Sequence, residues 1–144
     1  MKLLIPVASG LEQTTKRQLL SLGFDKAPAD NGRLEVDGDW QDVARLNVFL
    51  RSGERVLIVM DKFTALTFDD LYEGMYRIPW ENWLTVESKI LMDGKSVQSQ
   101  LAAIKAAGGV AKKAIISRLA DKVRTGRKTF AETGARSIVG VSIY

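Results

Sequence analysis

Gly94-Lys95-Ser96, behind the apolar run 90–92 and Asp93, has the spacing that closes a phosphate-binding loop, in which backbone N–H groups cradle phosphates and the lysine neutralises them. Such a loop also needs a glycine five positions before Gly94, and Lys89 stands there. Nucleotide hydrolysis is not expected. Lys95 is left as a cation at the start of a helix, where free N–H groups and the helix dipole favour a single phosphate. Further along, Lys112 and Lys113 lie in a helical stretch, and Arg124, Arg127 and Lys128 fall in a Gly-containing loop whose cations can follow a phosphate backbone.

The surrounding charge supports that chemistry. Residues 89–144 carry eleven Lys and Arg against three Asp and Glu, a net of +8, whereas residues 1–88 carry ten against fourteen, a net of −4; together they give the chain's +4. A concentrated cationic segment predicts a polyanion-binding surface, with a merely well-solvated face as the alternative. The absence of His and Cys excludes Ser-His-Asp and Cys-His nucleophilic sets, His or Cys zinc sites, disulfides and thiol redox centres. The opening apolar run is interrupted by Pro6 and is too short for a secretory segment or a membrane span, so a cytoplasmic protein is expected.

The elements that must position these residues follow from local pattern. A strand over 3–8 leads to Ser9 and Glu12, spaced as a capping box, so a helix is expected from near Gly10 to Gly23 with Leu11, Thr15, Leu19 and Leu22 on one face. Residues 24–29 and 33–36 flank Asn31-Gly32 as a hairpin. Asp39 caps a second helix to about Leu50, with Val43, Leu46 and Leu50 inward. Residues 55–60 then form an apolar strand, buried on both faces if the run is taken literally. The order is βαββαβ, that of a ferredoxin-like unit.

A second pattern begins near residue 66, which divides the chain into 1–65 and 66–144. Thr67 and Asp70 cap a helix bearing Leu71, Met75 and Ile78, and Pro79 ends it. Trp80 and Trp83 read as packing residues before stacking ones. After a strand at 89–92, residues 96–107 are helical until Gly108-Gly109 interrupts, and 110–124 form an amphipathic helix. Its apolar stripe is Ile115, Ile116, Leu119 and Val123, with Lys113, Ser117, Asp121 and Arg124 opposite and Arg118 beside them. Residues 137–144 alternate as a strand.

Several of these runs carry a family resemblance: Gly10-Leu11-Glu12 after the first strand; Ala44-Arg45-Leu46-Asn47 with Leu50-Arg51 and Arg55-Val56-Leu57; Phe68-Asp69-Asp70-Leu71-Tyr72-Glu73-Gly74 with Pro79-Trp80-Glu81; Gly94-Lys95-Ser96 with Ser99-Gln100-Leu101; Lys112-Lys113-Ala114-Ile115; and Glu132-Thr133-Gly134. In this order they resemble the N-terminal region of bacterial THUMP-domain RNA methyltransferases, most closely those that methylate guanine N2 in large-subunit ribosomal RNA and that also carry the name N6-adenine-specific DNA methylase.

The resemblance implies an α+β chain: a ferredoxin-like domain over 1–65 and a THUMP-like α/β domain over 66–144 that stops short of its final strand pairing. It also implies RNA, ribosomal before transfer, as the partner. S-adenosylmethionine would serve the parent enzyme and no cofactor this fragment, because the chain lacks a methyl-donor loop and an Asn-Pro-Pro-Tyr or Asp-Pro-Pro-Tyr motif. The catalytic methyltransferase domain is expected elsewhere in the parent. The RNA-contact candidates are Lys95, Lys112, Lys113, Arg124, Arg127 and Lys128. A protein-docking module is the competing reading.

Overall fold

A computed structural model describes residues 1–30, 32–85, 87–96, 104–123 and 136–143. The chain divides into two units, Met1–Lys62 and Phe63–Tyr144.

In the first unit the order is β1 (Lys2–Pro6), α1 (Glu12–Ser21), β2 (Ala29–Asp30), β3 (Arg33–Asp37), α2 (Trp40–Phe49) and β4 (Leu57–Ile58). The sheet runs β2-β3-β1-β4 with every pairing antiparallel, the ferredoxin-like arrangement that the βαββαβ order implied. β1 is central because Leu3 and Ile5 alternate onto one face. There they meet Leu34 and Val36 of β3, Leu19 of α1 and Leu46 of α2.

Polar bonds close this unit behind its core. Thr15 is fully buried, and its Oγ1 lies 2.7 Å from Ser52 Oγ and donates to the Leu11 carbonyl at 2.9 Å. Gln18 Oε1 accepts from the Arg51 and Ser52 N–H groups at 3.0 and 3.2 Å, tying α1 to the turn after α2. Arg45 reaches from α2 to the Leu22 carbonyl at 2.6 Å, which satisfies an acceptor left open at the end of α1.

Three expectations for this unit are corrected. Ser9 does not cap α1: the left-handed turn at Gly10 (φ +91°) delays the helix until Glu12. Glu12 therefore sits in the first helical position, and its Oε2 accepts from the Gly10 N–H instead. The hairpin's first strand shrinks to Ala29–Asp30. β4 is a two-residue edge strand with half-buried residues, because it has β1 on one side only.

The second unit contains α3 (Phe68–Arg77), a 3-10 turn (Trp80–Asn82), β5 (Lys89–Ser96), α4 (Ile104–Val123) and β6 (Arg136–Ile143). Thr67 Oγ1 accepts from the Asp70 N–H, and Asp70 Oδ2 from the Leu66 N–H, so α3 starts where the local chemistry dictates. Trp80 is buried and donates Nε1–H to the Met75 carbonyl at 2.8 Å, a packing role; Trp83 is exposed. β5 and β6 pair in parallel from Lys89↔Arg136 to Ser96↔Ile143, with α4 between them in sequence. Ala107, Ala111, Ala114, Ile115 and Leu119 form the buried stripe of α4.

Two expectations fail here. Gly94-Lys95-Ser96 is not a strand-to-helix turn: these residues continue β5 because the ladder to Val141, Ser142 and Ile143 supplies hydrogen bonds that a turn would forgo. Gly108-Gly109 does not break the helix either. Each glycine costs about 1 kcal/mol relative to alanine, less than the burial gained by a continuous Ala107–Leu119 stripe.

Candidate nucleic-acid interface

α4 presents its cations to two different grooves of the second unit. Lys112, half-buried, lines a groove of about 400 Å³ together with Lys105, between α4 and β5; Met92, Asp93, Gly94 and the Gly108-Gly109 pair complete its walls. Lys113 is exposed and lines another of about 360 Å³, between α4 and α3, with Phe68, Asp69, Tyr72 and Val110. Neighbours in sequence are separated by about 100° around a helix, so the two lysines serve separate surfaces.

Lys95 sits in β5 opposite Ser142 rather than at a helix N-terminus. Arg124, Arg127 and Lys128 lie outside the described residues. Lys105 was missed from sequence. It lies seven positions before Lys112, two helical turns along the same face, but the expected break at Gly108-Gly109 hid that spacing.

Arg118 leaves the cationic face altogether. Its Nε and Nη2 donate to Glu81 Oε2 and Oε1 at 3.0 and 2.8 Å, and its Nη1 donates to the Tyr76 carbonyl at 3.3 Å. The guanidinium carbon stands 5.7 Å from the centre of the Tyr76 ring. This bidentate bond holds the Glu81 carboxyl down at about 2 and pushes Arg118 up. Asp121, expected on the solvated arc, accepts from Tyr76 Oη at 2.5 Å and raises that hydroxyl's pKa. A double tie thus fixes α4 to α3 and the 3-10 turn.

No group of three or more Asp and Glu among the described residues is placed to hold a metal ion. Nor is any described helix long and apolar enough to cross a membrane.

Residues 2–57 match the family model of the RlmL ferredoxin-like domain, and residues 65–144 match that of the THUMP domain. The chain belongs to the THUMP family. Its THUMP unit carries both grooves, and the resemblance read from the motifs holds over nearly the whole chain. A Bacillus subtilis relative, YpsC, named as an RNA methyltransferase, is 32% identical over 93% of this chain and 34% of its own length. Ribosomal RNA large subunit methyltransferase K/L of Pseudomonas putida is 26% identical over 64% of this chain and 13% of its own. Among solved structures, SMU.472, described as a methyltransferase and solved with SAH, is 31% identical with a TM-score of 0.91, covering 99% of this chain and 38% of that one. The chain therefore spans about a third of the length of YpsC and of SMU.472, with the ferredoxin-like and THUMP domains as its share.

Proposed function

We propose that this chain is the substrate-recognition part of an S-adenosylmethionine-dependent methyltransferase acting on guanine N2 of large-subunit ribosomal RNA, with the transfer itself performed by a catalytic domain in the parent protein. The observation that carries the reading is the match of the cationic second unit to the THUMP model, alongside relatives named as RNA methyltransferases. Ribosomal RNA is preferred to transfer RNA on the name of the K/L relative, and S-adenosylmethionine on the SAH in SMU.472. Affinity would come mainly from phosphate contacts by Lys95, Lys112, Lys113, Arg124, Arg127 and Lys128, with Lys105 joining Lys112, and specificity from RNA shape and unpaired nucleotides.

A ribosomal RNA stem-loop titrated against a transfer RNA tests this directly. With about five phosphate contacts on mostly single-stranded RNA, affinity should fall about 100-fold between roughly 50 and 200 mM salt. A flat salt response, or tighter binding of the transfer RNA, would overturn the corresponding half. The docking reading rests on α2, where Trp40, Val48 and Phe49 are exposed apolar side chains. Capture of the catalytic domain by the chain in the absence of RNA would favour it.

A further inference from the structure

The RNA-recognition reading uses the lysines of α4 but gives no role to the aromatic residues beside them. Phe68, Tyr72 and Tyr76 recur at four-residue intervals on α3 and so lie along one face of that helix. Tyr72 and Tyr76 stack, with ring centres 6.3 Å apart and planes 16° from parallel. Tyr76 is fixed at the inner end by Asp121 and by Arg118, which stands over its ring. At the outer end Phe68 is 38% exposed, and it opens with Tyr72 into the α3–α4 groove. An aromatic side chain in the first turn of a helix gains little by facing water. Here the row continues toward a space of about 360 Å³.

The remaining lining defines what that space would accept. Val110 adds an apolar wall, Lys113 contributes an exposed cation, and Asp69 contributes a carboxylate. Single-strand RNA binding combines these features: a ring surface on which a base stacks, and a cation for the phosphate beside it. The volume falls at the low end of the roughly 300–1,000 Å³ typical of small-ligand sites, which suits one nucleotide and not a duplex.

We infer that the groove between α3 and α4 is a stacking subsite for one unpaired nucleobase of the bound RNA, with Phe68 and Tyr72 as the stacking partners and Lys113 meeting the adjoining phosphate. The base extends the column that already runs from Tyr72 through Tyr76 to Arg118. Asp69 accepts a hydrogen bond from an exocyclic amino group, so cytosine, adenine and guanine are favoured over uracil. Its negative charge keeps the phosphate on the Lys113 side. The subsite deepens the RNA-recognition reading and rests on it.

The test uses the 144-residue chain and a short single-stranded RNA carrying one 2-aminopurine. Stacking should quench the probe's fluorescence on binding. F68A, at an exposed position, should weaken binding about 10-fold, abolish the quenching and leave both the salt slope and the melting temperature unchanged. Y72A should do the same to binding, and K113A should instead lower the slope by about 0.7. D69N should narrow the preference against uracil. If F68A and Y72A both keep wild-type affinity and quenching while the salt slope stays steep, the subsite is overturned and the RNA reading stands. If the unaltered chain binds no RNA at all, both are overturned together.

Discussion

Arg118 grips both carboxylate oxygens of Glu81, at 2.8 and 3.0 Å, across the junction between α4 and the 3-10 turn. A residue that would count toward a cationic RNA surface is thereby committed to the fold. Because the bond holds the Glu81 carboxyl at about 2 against an ordinary 4.5, the ionised form contributes stability that is fully present above about 4.5. That contribution is lost as pH falls toward 2. Thermal melting followed from pH 6 to pH 2 should show a drop that E81Q flattens. An equal drop in E81Q would show that other carboxylates carry the acid sensitivity.

R118A, by the same reasoning, should lower the melting temperature at neutral pH while leaving the salt slope of RNA binding unchanged, since a paired guanidinium releases no counterion from RNA. A slope reduced by about 0.7 in R118A would place this arginine on a phosphate after all.

Lys112 and Lys113 of α4 should behave independently. Because Lys112 and Lys113 line different grooves and Lys113 is the exposed one, K113A should lower the salt slope by about 0.7, K112A by less, and the double variant by the sum of the two. Their melting temperatures should stay close to wild type. L119A, at a fully buried position of the same helix, should do the reverse: it should cost about 2–5 kcal/mol of stability.

Glycines on the two packed helices should respond in opposite directions. A β-carbon at Gly109 meets no atom within 4 Å, so G109A should stabilise α4 by about 1 kcal/mol, roughly 4–8 °C in melting temperature. At Gly74 a β-carbon would overlap the Phe63 ring, so G74A should destabilise by about 1–3 kcal/mol. Differential scanning calorimetry of both variants checks the pair.

Where the determinants are local, the sequence is readable. Asp39 and Thr67 cap the helices they precede because the hydrogen bonds they make span only three residues. In the first sheet β2 and β3 are joined by a short connection, and the βαββαβ order supplies the rest. What escapes is set by distant partners. Nothing near Gly94-Lys95-Ser96 announces that β6 will extend the strand through it, and nothing near Gly108-Gly109 shows the buried alanine stripe that carries the helix across. The candidate site divides in the same way. Lys112 and Lys113 are visible as cations, but their separation into two grooves depends on β5 and α3, and the contribution of Phe68 and Tyr72 on how α3 packs against α4.

The parallel pairing of β5 with β6 also sets a schedule. Lys89 finds its partner in Arg136, 47 positions later, whereas β1 and β3 of the first unit are joined through one helix and a hairpin. At translation speeds of about 5–20 residues per second, β5 and its apolar Ile90, Leu91 and Met92 wait roughly 2–9 s with an open edge. The nascent chain is exposed to misassociation in that interval, and α4, built from near-neighbour hydrogen bonds, is the element able to cover β5 before β6 has been made.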